Sequence, residues 1–373
     1  MLIASIGKEL YLWLKYRNQF SAMIDFTRSE LTHFVIHYAG NKGLGEELTL
    51  SEKNIQIKDD FLKDTLMRYL TAPFKTDIYY QFKSKNEMHY HDVQSYASDL
   101  FKSQNAFIEN SKHIAEHLYN QSMHPKIKGG EFYTCYFKDC NVDGVICDAI
   151  GLFKTENKDT YLKVFQHMDN FDIECDNGIN INKLDKGCII FNTEGEKGYK
   201  ISIVDTNNKI ADCAFYWVED FLNTKLKENA YFHTSNFIDT CKGFCEEVLT
   251  ENNNVTKQDQ MMMLNKSTSF FKEKDNFNIK EFEKEILPQP ELQKAFRDYR
   301  QTYNDKMDLT AIDDFEISAT AVKKNQKFMK SVVKLDKNFH IYVHGRHDYV
   351  ERGYDEEKGL KFYKLYYANE DLG

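Results

Sequence analysis

Three stretches of this chain place reactive side chains at spacings that known chemistry uses. His113-Ile114-Ala115-Glu116-His117 sets two imidazoles and a carboxylate within one helical turn. On a helix, that spacing brings both imidazoles to one face, where they can hold Zn²⁺ beside an acid–base glutamate. Here Ile114, Ala115 and Leu118 form the stripe that a helix would bury, leaving His113, Glu116, His117 and Asn120 together on the wet face. A solvated face is therefore expected, not a metal site. Asp143 or Asp148, followed by Glu156-x-Lys158, matches the acid and acid-x-lysine pattern of metal-dependent nucleases. Yet Thr155-Glu156-Asn157-Lys158-Asp159 has the composition of a hairpin tip, a poor platform for metal ligands. Gly40-Asn41-Lys42-Gly43-Leu44-Gly45 lacks the Gly-Lys-Ser/Thr ending of a phosphate loop and is expected to be a strand-ending turn. No nucleophile elbow or Cys/His pair stands out, so no catalytic residues and no cofactor are assigned.

The remaining chemical feature is charge. Between Ala321 and Arg346 lie Lys323, Lys324, Lys327, Lys330, Lys334, Lys337 and Arg346 against a single acid, Asp336, an excess of +6 in a chain whose net charge is −9. A compact excess of one sign sets up a local field that attracts polyanions while the whole molecule repels them. Lysines are hydrated point charges that contact phosphates without identifying bases, and Arg346 and Arg352 add guanidinium forks suited to phosphate oxygens. Asp313-Asp314-Phe315-Glu316 and Asp355-Glu356-Glu357 would limit indiscriminate binding. The competing expectation for any charge run is a solvated face.

The chain is long enough to bury two cores, at 373 residues with 42% hydrophobic residues. Only 4 Pro and 17 Gly argue against long disordered linkers. The 8 Cys contain no C-x-x-C pair and lie in apolar surroundings, as expected for buried free thiols in a reducing compartment. No apolar run approaches the ~18 residues of a membrane span, and the stretch from Leu10 to Leu14 is too short for a signal peptide. The expected location is cytoplasmic.

Periodicity supplies the scaffold. Leu31–Tyr38 is predicted to be a strand, Asp59–Leu70 a helix ended by Pro73, and Asp92–Met123 helical with one break. Glu131–Lys138, Gly144–Lys154, Thr160–Gln166, Gly187–Asn192 and Tyr199–Asp205 are predicted strands, separated by turns that include Asp176-Asn177-Gly178. They suit an antiparallel sheet with the preceding helices on one face. Helices are predicted near Asn236–Leu249, Lys257–Phe271, Ile279–Ile286 and Leu292–Tyr303. The end returns to strands at Phe328–Leu335, Phe339–Val343 and Lys361–Tyr366. The fold class is α+β: an antiparallel sheet with packed helices, then a helical layer and a small β-rich basic C-terminal segment. The expected domains are 23–210 and 211–373, with a soft boundary near 206–230.

Five stretches in order resemble one family. They are Met23-Ile24-Asp25-Phe26, HYAGNK (His37–Lys42), CDAIGLFKTENKDTYLKV (Cys147–Val164), MMMLNKSTSFFK (Met261–Lys272) and NFHIYVHGRHDYVERGYDEEKGLKFYKLYY (Asn338–Tyr367). Together they resemble the bacterial thirty-seven-kilodalton nucleoid-associated proteins, the NdpA-like family, from Met23 almost to the end. The resemblance implies association with the nucleoid and binding of double-stranded DNA with low sequence specificity. It also implies a link, in some relatives, to type II topoisomerases. It supplies no catalytic residues. Residues 1–22 fall outside it and are expected to be a start codon set too far upstream or an extension private to this chain. The expected DNA-binding residues are Lys323, Lys324, Lys327, Lys330, Lys334, Lys337, Arg346 and Arg352. The alternatives are an adaptor held at the nucleoid by a protein partner, such as a type II topoisomerase, and a metal-dependent nuclease.

Overall fold

A computed structural model of the chain describes residues 24–75, 78–83, 93–206, 216–249, 257–307, 309–325, 331–335, 339–343 and 349–369. The expected extra segment 1–22 lies outside them. The chain divides into two units, Met1–Lys227 and Glu228–Gly373.

The aromatic and β-branched runs of the first unit build its sheet. The strands are β1 (Ile24–Asp25), β2 (Glu30–Ala39), β3 (Leu48–Thr49), β4 (Tyr80–Phe82), β5 (Gly130–Val142), β6 (Val145–Thr155), β7 (Asp159–His167), β8 (Asn170–Gly178), β9 (Lys186–Phe191), β10 (Lys200–Asp205) and β11 (Thr224–Leu226). Nine of them form one sheet in the order β11-β4-β10-β9-β6-β5-β2-β3, with β1 also paired to β5. All its pairings are antiparallel. The helices are α1 (Asp60–Thr71), α2 (Val93–Lys102) and α3 (Phe107–Gln121). Asp59 starts α1 by accepting the Leu62 N–H at 2.6 Å.

Alternate residues of the central strands feed two cores. Phe132, Tyr136, Ile150, Leu152, Cys188 and Ile190 pack with Leu100 of α2 and Ile114 and Leu118 of α3. Tyr133, Phe137, Ala149, Phe153, Ile189 and Phe191 pack with Tyr69 and Leu70 of α1. Helices therefore cover both faces of the sheet, where the sequence predicted one. The reason is legible in β9, whose six residues are all buried: a strand apolar at consecutive positions needs cover on both sides. The first unit runs to Lys227, within the soft boundary near 206–230. Trp217, in a π-helical turn over Tyr216–Phe221, is buried in the α2–α3 core, and β11 completes the sheet beside β4.

Strands β7 and β8 stand apart as a separate two-stranded ribbon. Its turn is Met168-Asp169, and the expected turn Asp176-Asn177-Gly178 is the end of β8. The sequence hid this turn, because Met168 takes a left-handed backbone (φ 55°) without glycine or proline to mark it.

The second unit contains α4 (Ala230–Glu247), α5 (Lys257–Glu273), β12 (Asn276–Asn278), α6 (Ile279–Ile286), α7 (Pro290–Met307), β13 (Asp314–Glu316) and α8 (Ala319–Asn325). Its core is a phenylalanine cluster: Phe237, Phe244, Phe270, Phe271, Phe277, Phe282 and Phe296. Asn229 and Asn278 cap α4 and α6, accepting the N–H groups of Phe232 and Glu281, each at 3.1 Å. Two hairpins follow, β14 (Ser331–Leu335) with β15 (Phe339–Val343) and β16 (Val350–Asp355) with β17 (Leu360–Leu365). The sequence missed β16 because Glu351-Arg352-Gly353 interrupts its apolar alternation. The fold is α+β with an antiparallel sheet, a helical layer and a β-rich end, as the sequence predicted.

Candidate nucleic-acid interface

The basic segment begins on α8. Ser318 caps this short helix, its hydroxyl accepting the Ala321 N–H at 3.1 Å, while its own N–H donates to Thr234 Oγ1 at 3.0 Å. Ala321 and Val322 are buried, Val322 in the phenylalanine core, which turns Lys323 and Lys324 outward to solvent. Both lysines lie in the last turn, where the helix dipole favours a cation. Lys324 Nζ sits 5.7 Å from the centre of the Tyr231 ring. Among the described residues, no acid pairs with either lysine. Three other cations of this unit are neutralised: Lys274 by Glu281 and Glu285, Arg297 by Glu283, and Arg300 by Asp313.

Lys334 lies in β14, where the register pairs it with His340. Arg352 lies in the other hairpin, paired with Tyr363, and is half-buried. Tyr354 and Lys361 fall on the same side as Arg352. Sequence reasoning missed Lys361, which the register between β16 and β17 brings beside Arg352. The turn of that hairpin carries Asp355, Glu356 and Glu357, and Lys358 is 3.5 Å from Asp355. Lys327, Lys330, Lys337 and Arg346 lie outside the described residues.

The rival sites lead elsewhere. His113 stacks on Tyr96 with ring centres 5.5 Å apart, and its Nδ1 lies 3.4 Å from Glu116. His117 is not on the wet face: it is half-buried, its Nε2 lies 3.0 Å from the Phe221 carbonyl, and its ring packs on Phe221. Asp143 accepts from Tyr79 at 2.9 Å and Lys200 at 2.7 Å, while Asp148 accepts from Tyr136 at 2.8 Å. Glu156 does not sit on a hairpin tip. It is a buried carboxylate, 3.4 Å from Lys154 Nζ and accepting from Tyr216 at 2.6 Å. Lys158 pairs instead with Glu131 at 2.5 Å. The three carboxylates thus serve separate networks, and no group of three or more His, Cys, Asp or Glu residues among the described residues could hold an ion. Gly40–Gly45 is a strand-ending loop. The buried Asn41 amide donates to the carbonyls of His124 (2.9 Å) and Ile127 (2.6 Å) and accepts from Leu44 N–H.

Of the described cysteines, Cys135, Cys140, Cys188, Cys241 and Cys245 are buried free thiols, while Cys147 is half-buried and Cys175 is exposed. Burial raises the pKa of Cys140 to about 12 and that of Cys147 to about 11, so neither is a ready nucleophile. Among the described residues, no helix is long and apolar enough to cross a membrane.

No curated protein matches the chain. The model of the family described as nucleoid-associated protein YejK matches residues 35–359, a span that covers most of each unit and all eight candidate residues of the basic segment. The chain therefore belongs to this family of nucleoid-associated proteins.

Proposed function

We propose that the protein binds double-stranded DNA with little sequence preference, through its lysine-rich C-terminal face, at the nucleoid. The observation that carries this reading is the pair Lys323 and Lys324. They are exposed and without an acidic partner among the described residues, at the head of a segment with six excess positive charges. Family membership agrees with a nucleoid role. Lys327, Lys330, Lys334, Lys337, Arg346 and Arg352 are assigned to the same phosphate-contacting face by sequence proximity and charge. Lysine contacts of this kind position a protein on the backbone and carry no base information, so unrelated duplexes should bind alike. The proposal is of binding without catalysis.

The test is binding of the purified chain to two unrelated duplexes at two salt concentrations, with and without Mg²⁺. Equal binding to both, weakened by salt and independent of Mg²⁺, supports the reading. Absence of binding at low salt would replace it with an adaptor held by a protein partner. Mg²⁺-dependent cleavage abolished by Asp148→Ala would replace it with a nuclease.

A further inference from the structure

The ribbon formed by β7 and β8 has two unlike faces. Register pairs Leu162 with Cys175 and Val164 with Ile173, and places Gln166 opposite Phe171 and Thr160 opposite Asn177. These eight residues share one face, which carries no charge. The other face carries Lys163 against Asp172, Glu174 and Asp176, with Tyr161 and Phe165. An amphipathic ribbon should bury its apolar side. Here Leu162, Val164, Phe171 and Ile173 remain 66%, 61%, 75% and 64% exposed, and Cys175 is exposed too. A lone two-stranded hairpin is marginally stable in water, so a ribbon with this pattern calls for cover.

The base of the ribbon is held firmly. The buried Asp185 carboxylate accepts the N–H groups of Glu156 (2.8 Å) and Asn157 (2.9 Å) and the Asn157 side-chain amide (2.8 Å). Lys128 donates to Asn157 at 2.6 Å, and Asn180 donates to Asp159 at 2.8 Å. The connector between the main sheet and the ribbon is thus fixed by a polar clamp, which presents the apolar face in a set direction.

We infer that this face is the self-association surface of the protein, covered by the same face of a second copy. Two features select that occupant. The first is charge. The whole chain carries −9 and the other side of the ribbon is acidic, so two copies approach without like-charge contact through this uncharged face. The second is area and layout. Nine residues per strand make a face roughly 30 Å long and 10 Å wide, near the limit of what a monomer leaves exposed in one patch. Stacking two copies covers roughly 600 Å² of that outline in total, and the relief of the exposed side chains carries the buried accessible area toward the size at which a specific interface begins. In an antiparallel two-fold stack, the central Leu162, Val164, Ile173 and Cys175 cover one another. Gln166 and Phe171 near the tip then lie over Thr160 and Asn177 near the base. The centre of this stack is apolar, its ends carry Gln166, Thr160 and Asn177 with the Phe171 ring, and one self-complementary patch meets the requirement of a two-fold dimer.

The experiment measures the molar mass of the full chain by sedimentation over a range of concentrations. The wild type should sediment at twice its chain mass of 44.0 kDa. Val164→Thr with Ile173→Thr keeps β-branched residues in both strands and makes the centre polar; it should weaken the dimer by more than about 100-fold. Glu174→Gln, on the opposite face, should leave the dimer unchanged. Circular dichroism and Trp217 fluorescence report whether each variant keeps the fold of the first unit. A second readout is the Cys175 thiol, counted as the difference from Cys175→Ser: protected in the wild type at high concentration and reactive in the double variant. A wild type that is monomeric at every concentration overturns the inference. So does a folded Val164→Thr, Ile173→Thr protein that dimerises as strongly as the wild type.

Discussion

Lowering the pH from 7 to 5 should remove about 2 kcal/mol of stability from the first unit through one side chain. His37 lies in β2, 2% exposed. Its Nδ1 accepts the Ser51 N–H at 3.0 Å, so the proton of the neutral ring sits on Nε2. That N–H donates to Ser111 Oγ at 3.0 Å, whose hydroxyl donates onward to the Ile108 carbonyl at 2.6 Å. A second proton, on Nδ1, would face the Ser51 N–H and break this chain. Burial lowers the pKa of His37 from an ordinary 6.5 to about 4; nearby Lys112 adds to the lowering and Glu52 opposes it. In the unfolded chain the ring takes its proton near pH 6.5, before the folded ring does. The contribution is therefore fully present above pH 6.5 and lost progressively down to pH 4. The whole window is worth about 3 kcal/mol, of which about 2 kcal/mol is gone by pH 5. Urea titration followed by Trp217 fluorescence measures it; at a slope near 2 kcal/mol per molar, the midpoint should fall by about 1 M. His37→Gln can still accept from Ser51 and donate to Ser111 without titrating, so it should lack this part of the acid loss. Parallel loss of stability in both proteins between pH 7 and 5 would refute the reasoning.

Three variants probe the rest of the framework. Gly130→Ala at the start of β5 would drive a Cβ into the Thr155 carbonyl across the β5–β6 pair, and should cost about 1–3 kcal/mol in urea unfolding. Phe237→Ala removes a ring 4.2 Å from Phe277 and 5.0 Å from Phe282 and should cost about 3–5 kcal/mol, seen as a lower melting temperature of the second unit. His113→Ala with His117→Ala should leave the metal content of the purified protein unchanged by elemental analysis; stoichiometric zinc lost in this variant would contradict the fold-supporting role given to His117.

Much of this was legible in the sequence where pattern and turn chemistry agree. The strands at Leu31–Tyr38 and Glu131–Lys138, the helix with its acidic start at Asp59 and a break somewhere within Asp92–Met123 follow from periodicity and local composition. The misses have physical causes. Buried cations defeat an alternation rule: Lys154, fully buried in β6, donates to the Lys128 carbonyl at 2.6 Å, and Lys186 in β9 pairs with Asp205 at 2.9 Å. Glu156 joins that interior, which the loop-like composition around it conceals. The apolar face of β7–β8 looks like ordinary core in sequence, because nothing in the chain states that Phe171 and Ile173 stay uncovered. At the interface, charge was legible residue by residue. The partners of Lys274, Arg297 and Arg300 were not, since Glu283 and Asp313 meet them only through the fold.

The central claim is tested most directly by the salt dependence of DNA affinity in the wild type and in one charge-reversal variant. If five or six cations contact phosphates, each releasing roughly 0.9 counterion, the slope of log affinity against log salt should be near −5 for unrelated duplexes alike. Lys323→Glu, Lys324→Glu and Lys327→Glu together should weaken binding to every duplex and flatten the slope by about 3. Exposed charge changes shift stability by only about 0.5 kcal/mol each, so the folded state should persist. Binding by the folded triple variant with the wild-type affinity and slope would contradict the account and leave the lysine segment a solvated face.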